Sequence, residues 1–546
     1  MSDSFDLVSR PWIRVRSASG VEEVSLREVF ARAHQFTSLA GELVTQDAAI
    51  LRLLLAILHR AVGSGPGHPV EWWKVMWEAP ALPTEAIDRY LDRWADRFNL
   101  LDDHAPFLQV AGLSAAKTSG LVKLVSDVPD GEGAKLFTTR AGPELESLSL
   151  SEAARWLVHC QAFDPSGIKT GMHGDPRVKG GKGYPIGTGW AGRCGLVIAE
   201  GRDLKETLLL NLVLGTTDSD ARPDLPVWER APLGPGVERR HSEPLGPVDL
   251  LTWPARRVLL RRSEAQPGRV TDVLLGNGDR LEIVNRHRLE FMSGWRRSAN
   301  QEKTHGVPTY MPRAHDPSRQ LWRGMAAVLA KQTPMGAVAN DPAQHLPPAV
   351  IEWLARLTRE EALPPSAPIR IRAVGVSYGT QDASVDSLYD DTLTMQAGLA
   401  DDDSLRQTVI DATLCAEGAV WNAVGQLGAN LALAAGRDVE GPRERAREAG
   451  YDRLSHPYAG WLAGLRPDSD PDEALVEWQR TVRSVLGALG QELIDQAGEA
   501  AVFGRQAGGR HVDIGLASRW FVGSLRKVLP GAFSVPTSSM KESTNG

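Results

Sequence analysis

Apolar residues recur at helical spacing in the first third of the chain. Between Thr45 and Val62 they fall at Ala48, Leu51, Leu54, Leu55 and Leu58, which predicts one strong helix. Two more helices are expected over Pro69–Trp77 and Thr84–Phe98, and another over Leu148–Phe163. Ser25-Leu-Arg-Glu28 has the form of a capping box and predicts a helix running to about His34. Before it, Phe5–Arg16 reads as a strand with a Pro-Trp break and Val21–Val24 as its hairpin partner. Leu204–Leu214 is apolar and predicts a helix. Val270–Val284 alternates around Gly276-Asn-Gly-Asp279, which predicts a hairpin. Further helices are expected over Trp322–Lys331 and Ala349–Leu357, and a strand over Ile369–Val376.

Past Asp390 the alternating pattern stops and helical periodicity takes over. Ser404–Ala434, Pro442–Leu454, Pro471–Gly498 and Gly515–Leu529 are long amphipathic segments with short connections, the pattern of an antiparallel bundle. The first, about thirty residues long, is long enough to be two helices. The expected fold is therefore α+β: a mixed N-terminal domain over residues 1–390, a four-helix bundle over 391–532, and a disordered tail over 533–546. A chain of 546 residues is too long for a single core, in keeping with this division.

Composition narrows the functional classes. The net charge is −7, so no whole-protein basic field attracts nucleic acid, and any such binding comes from local patches. Cys160, Cys194 and Cys415 are widely separated and form neither a disulfide framework nor a metal knuckle. The opening Met-Ser-Asp-Ser-Phe-Asp lacks a signal-peptide pattern, and apolar runs such as Ile50–Leu58 contain Arg52 and are too short to span a bilayer. A cytoplasmic protein with no membrane partner is expected.

The richest chemistry lies in the glycine stretch from Gly171 to Arg193, where Arg177, Lys179, Lys182 and Arg193 interleave with glycines. Bare backbone N–H groups and cations suit a polyanion, either a nucleotide phosphate or a nucleic-acid backbone. A Walker A loop is excluded, because Gly183 follows Lys182 where a hydroxyl is required. Gly187-Thr-Gly189-Trp-Ala-Gly192 fits G-x-G-x-x-G, with Asp203 further on. A nucleotide-binding enzyme thus remains the alternative, provided a strand precedes the motif and a helix follows it. No G-x-S-x-G elbow or H-E-x-x-H pair is present, and His159-Cys160 on an apolar helix reads as core. Scattered acids leave two-metal chemistry open. Basic pairs at Arg256-Arg257, Arg261-Arg262, Arg286–Arg288, Arg296-Arg297 and Arg370/Arg372, interleaved with Trp253, Trp295, Tyr310 and Trp322, tilt the reading toward nucleic acid.

Several segments, taken in order, resemble the CasA family, the large subunit of the type I-E CRISPR Cascade complex. They are Leu7-Val-Ser-Arg-Pro-Trp12-Ile-Arg-Val15, Trp94…Phe98-Asn-Leu100…Pro106-Phe107-Leu-Gln109, the glycine stretch itself, Gly201-Arg-Asp-Leu…Asn211, and Tyr378-Gly-Thr-Gln-Asp-Ala383-Ser384. The resemblance implies a non-catalytic protein without a cofactor. Its partners would be target double-stranded DNA, guide RNA, the other Cascade subunits and a helicase-nuclease. It would recognise the protospacer-adjacent motif, wedge the strands apart and start the R-loop. Gly180, Gly181, Lys182 and Gly183 fall at the family's glycine loop. A minor groove about 6 Å wide admits bare backbone more readily than a bulky side chain. Gln381, Asp382 and Ala383 fall at the groove-contacting and wedge positions, with Gln381 and Asp382 both candidates for the wedge residue. Lys303 and Arg313 are candidates for the family's groove-reading lysine. Phe137 falls where the family meets the guide-RNA handle or a neighbouring subunit. Some members carry cysteine pairs suggestive of zinc; this chain has none, so no metal is expected.

Overall fold

The computed structural model describes residues 4–126, 146–215, 223–237, 243–262, 266, 268–330 and 344–534. Contacts divide the chain into two compact units. The first comprises Met1–Arg319, Lys331–Pro364 and Ile369–Thr392; the second comprises Gln320–Ala330, Pro365–Pro368 and Leu393–Gly546. The architecture is mixed helix and sheet with a helical C-terminal region, as the periodicities predict.

In the first unit, strand Ile13–Ser17 lies between Gly20–Val24 and Phe36–Leu39 in an antiparallel sheet. Ser25 completes the capping box: its hydroxyl accepts the Glu28 N–H while the Glu28 carboxylate accepts the Ser25 N–H. Helix Val44–Val62 is buried along most of its length and packs on helix Leu150–Phe163. Even Arg52 is inside, paired through both guanidinium nitrogens with Glu290 at 2.9 and 2.8 Å, and the Trp190 indole donates to the same carboxylate. His159 is core, as its neighbours predict. It stacks on Phe163 and bonds Thr45, and burial lowers its pKa to about 4. Burial likewise raises the Cys160 and Cys194 thiols far above the reactive range.

A second sheet places Pro368–Tyr378 between Val385–Gln396 and Leu196–Glu200. Its long hairpin turns at Gly379–Ser384. Strand Val385–Gln396 carries extended structure past Asp390, and a short hairpin, Arg505–Ala507 with Arg510–Val512, follows much later, so strands do not end where the alternation fades. The hairpin predicted at Gly276–Asp279 does not form. Strand Arg269–Asn277 instead pairs antiparallel with Arg256–Arg262 upstream, and residues 280–284 are irregular. Gly278 ends that strand because its backbone is pressed against Pro254 and Ala255, where a Cβ would clash.

The second unit is built on the long helices. Asp403–Ala419 continues through one π turn, Val420–Val424, into Gly425–Ala434, so the first predicted segment is a single interrupted helix. Helices Glu440–Gly464, Pro471–Asp495 and Ile514–Val528 complete the bundle. Gly425 and Gly428 let Gly425–Ala434 approach Glu440–Gly464 closely: a Cβ on either would stand 2.7 Å from Arg447 Nε or from the Pro442 carbonyl oxygen. No helix among the described residues is long and apolar enough to cross a membrane.

Candidate nucleic-acid interface

The glycine stretch folds into a tight hairpin. Strand Lys169–Thr170 pairs with Lys182–Gly183, and Lys179 and Lys182 exchange N–H···O=C bonds of 3.1 Å across the turn. Gly180 and Gly181 are the two turn residues, at φ +57° and +72°. Left-handed geometry at both central positions is what a two-residue hairpin matched to strand twist requires. A Cβ at either would meet nothing within 4 Å, so the backbone there is bare and open. Gly183 is buried instead, with Asn277 Nδ2 3.1 Å from where its Cβ would stand.

The turn of the long hairpin is also unusual. Gln381 and Asp382 both sit at left-handed φ, +58° and +55°, although neither is glycine. Such a conformation costs an L-residue about 1–2 kcal/mol and persists where surrounding bonds over-determine it. Here Gly379 N–H bonds Ser384 O at 3.0 Å, Asp382 N–H bonds Gly379 O at 3.0 Å, and Ser166 N–H reaches across to Asp382 O at 2.7 Å. Gln381, Asp382 and Ala383 are all exposed on the resulting crest. Glycine at 381 should relieve the strain at some cost in chain entropy. Gln381→Gly is therefore expected to stabilise the first unit by about 0.5–1 kcal/mol, read as a raised urea midpoint. A lowered midpoint would show that the side chain itself holds the turn.

These two turns meet. Gly181 and Lys182 from the glycine hairpin and Ala383, Ser384 and Val385 from the crest line one cleft of about 490 Å³. Among the described residues the cations on its wall are Lys117, Lys123, Lys169 and Lys182, and the one lining acid is Asp164. Asp164 is already engaged. It pairs with Lys169 Nζ at 2.6 Å and with the buried Arg256 guanidinium, whose Nη2 also donates to Pro165 O at 3.0 Å and Gly187 O at 2.8 Å. Burial pushes the Asp164 carboxyl up, but Lys169 and Arg256 outweigh it and hold it below the usual carboxylate range. Burial, reinforced by the neighbouring Lys169 charge, holds the Lys123 amine below the usual lysine range. The cleft is thus a cationic slot with a bare glycine turn on one lip and a strained, exposed crest on the other.

Lys117 and Lys123 had no sequence signal, being single lysines far from any motif. Lys303 lies on the exposed helix Ala299–His305, and Arg313 follows strand Tyr310–Pro312, where its carbonyl accepts the Gly195 N–H; neither lines the cleft. Phe137 lies outside the described residues.

One expectation is overturned and another narrows. The G-x-G-x-x-G at Gly187–Gly192 is not entered from a strand, since the two-residue strand Lys182–Gly183 ends before the irregular residues 184–187, and it opens no α-helix. A 3₁₀ turn, Ala191–Arg193, leads into strand Leu196–Glu200. Gly189 is pressed against the Ala162 backbone and Gly192 against the Tyr378 hydroxyl, so these glycines serve packing and present no phosphate cradle. The arginine pairs do not make one free basic surface: one pair is internal and several other members are ion-paired, while Arg261, Arg262, Arg288, Arg296 and Arg370 are exposed. Arg256 and Arg257 are fully buried against Asp164 and Asp279, Arg286 pairs with Glu243, Arg297 with Glu302, and Arg372 with Asp390 and Glu200. Trp253, Trp295, Tyr310 and Trp322 are core. No group of three or more metal-ligating side chains occurs among the described residues.

Comparison with known proteins gives a consistent result. The sequence model of CRISPR-associated protein Cse1 matches residues 6–489. CasA/Cse1 of Thermus thermophilus is 37% identical over 264 residues, 47% of this chain and 49% of that protein, so the chain spans about half the length of the curated relative it matches. The crystal structure of Thermobifida fusca Cse1 superposes with a TM-score of 0.88 at 41% identity, covering 97% of this chain and 99% of that one. A chain in a solved CRISPR RNA-guided surveillance complex has the same fold, with a TM-score of 0.63 at 22% identity over 90% of this chain and 99% of that one. With a family match across most of its length and a fold to accompany it, this chain belongs to the Cse1 (CasA) family of CRISPR-associated proteins.

Proposed function

We propose that this protein is the DNA-recognition subunit of a CRISPR RNA-guided surveillance complex. It reads the protospacer-adjacent motif in double-stranded target DNA, wedges the strands apart to start the R-loop, and recruits the helicase-nuclease. Its other partners are the guide RNA and the remaining Cascade subunits, and it carries out no chemistry of its own. Family membership supports the complex, and one observation carries the role: a bare glycine turn and a strained exposed crest converge on a single lysine-lined cleft.

The physical logic follows from that convergence. Lysines hold phosphates without reading sequence. Gly180 and Gly181 bring backbone to the floor of a minor groove, whose code is degenerate, so several flanking motifs should be accepted. The crest Gln381–Ala383 stands where separated strands would pass. Either Gln381 or Asp382 acts as the wedge; an aspartate near phosphates is tolerable if it accepts from a base amine. In such a division of labour RNA pairing reads the target while protein reads the short flag.

The direct test is duplex binding by the complex reconstituted with guide RNA, with and without this chain, on targets differing only in the flanking trinucleotide. The proposal expects flank-dependent affinity only when the chain is present. Equal affinity with and without it would overturn the reading.

A further inference from the structure

The second unit carries a strongly charged surface outside the cleft. Between Glu499 and Ser534 the cations are Arg505, Arg510, Arg519, Arg526 and Lys527, and the acids are Glu499 and Asp513. This stands against a chain whose net charge is −7. Asp513 is engaged as a helix cap, its carboxylate accepting the Leu516 N–H at 2.7 Å. Arg505, Arg510 and Arg519 are exposed and have no ion-pair partner among the described residues.

The surface is shaped as well as charged. Strands Arg505–Ala507 and Arg510–Val512 form a hairpin closed by Gly508 and Gly509 at φ +55° and +77°. Both φ values are close to those of the Gly180–Gly181 turn, and a basic residue follows the glycine pair in both, Lys182 in one and Arg510 in the other. The register sets Ala507 opposite Arg510 and Arg505 opposite Val512, so Arg505 and Arg510 are diagonal neighbours on one face. Helix Gly425–Ala434 packs against helix Glu499–Phe503, both hairpin strands and helix Ile514–Val528, which joins these pieces at one end of the unit. Arg505 Nη1 lies over Gly436 just past that helix, 3.1 Å from where a Cβ would stand. A helix C-terminus accounts for one cation, but not for Arg510 or Arg519.

Aromatic side chains accompany the cations. Phe503 is 77% exposed, more than any other large apolar side chain among the described residues, and Trp520 is exposed next to Arg519 in sequence. Cations alone suit any polyanion. Exposed rings close to them along the chain, Phe503 two residues before Arg505 and Trp520 next to Arg519, suit unpaired bases, because every base offers a face for stacking while a duplex hides those faces.

We propose that this end of the second unit binds single-stranded nucleic acid, with Arg505 and Arg510 on phosphates and Phe503 and Trp520 stacking on bases. The residues lie wholly outside the cleft, so the two sites fail independently.

The test measures fluorescence anisotropy of labelled oligothymidylate with the full chain, in the native background and with Lys179→Ala/Lys182→Ala to remove the cleft's share. Arg505→Gln/Arg510→Gln should weaken binding about tenfold in both backgrounds and make the log–log salt dependence shallower by about 1.4, two single-strand phosphates' worth. Arg505→Lys/Arg510→Lys should restore most of it. Phe503→Ala, an exposed position that folding does not need, should weaken oligothymidylate binding about tenfold and leave duplex binding unchanged. Unchanged oligothymidylate affinity in the glutamine variant would overturn the proposal. So would poly-glutamate of equal charge binding as tightly with Phe503→Ala silent, which would make the surface a dock for an acidic protein.

Discussion

Replacing Arg256 with methionine is expected to destabilise the first unit by about 3–5 kcal/mol, the range for removing one partner from a buried ion pair. The guanidinium is 1% exposed and serves Asp164 together with the carbonyls of Ala255, Pro165 and Gly187. Methionine fills much of the volume but donates nothing, leaving a buried carboxylate with Lys169 alone and several carbonyls unsatisfied. The pH dependence identifies the cause. Asp164 titrates lower in the folded chain than in the unfolded one. Its contribution is therefore present above the ordinary carboxylate pKa of about 4 and fades as pH falls through the folded value. Urea unfolding at pH 7 should show the full loss in the variant. Below about pH 4 the gap to the native protein should narrow, and Asp164→Asn added to the variant should recover part of it. A loss under about 1 kcal/mol, or a gap indifferent to pH, would show that the pair is not the support described. The crest should loosen too, because Ser166, which holds Asp382, directly follows Pro165.

Arg256 also shows what the sequence hides. Two adjacent arginines read as a basic patch, because charge in a sequence gives no hint of a partner 92 residues away. Once Asp164 and Asp279 are placed, both side chains become interior struts. The helices Val44–Val62 and Leu150–Phe163 were legible because periodicity is a local property and each buries one continuous face. Strand Arg269–Asn277 was legible as a strand and misread as to its partner. Turn chemistry at Asn277-Gly278 is local, whereas pairing with Arg256–Arg262 is decided by burial on both sides. Glycines separate in the same way. Gly180 and Gly181 need their left-handed φ and face open space, while Gly189 and Gly192 are small because backbone and a tyrosine lie against them. A motif search treats all four alike. The lysines at 117 and 123 become part of a site only through the fold.

The glycine turn is where a single atom should matter most for binding. Gly180→Val/Gly181→Val places branched side chains at left-handed φ, where each costs about 1–2 kcal/mol in the turn. It also covers the bare backbone on the cleft's lip. Stability should fall only modestly, since nothing lies within 4 Å to clash and the rung between Lys169–Thr170 and Lys182–Gly183 remains. Discrimination between flanking trinucleotides by the assembled complex should fall by about 1–3 kcal/mol, about five- to 150-fold. Assembly with guide RNA should be unaffected, because the change is confined to an exposed turn. Lys182→Ala separates charge from shape. It should weaken binding to all flanks alike and flatten the salt dependence by about one phosphate, leaving discrimination intact. Gly183→Ala reports on packing, since its Cβ would stand 3.1 Å from Asn277 Nδ2 and the asparagine must shift. If the valine pair assembles normally and still discriminates flanks as well as the native chain, the bare backbone is not the reader, and Gln381–Ala383 become the residues to change. If the valine pair instead dissolves the complex, the hairpin is a protein contact and the DNA-reading role falls.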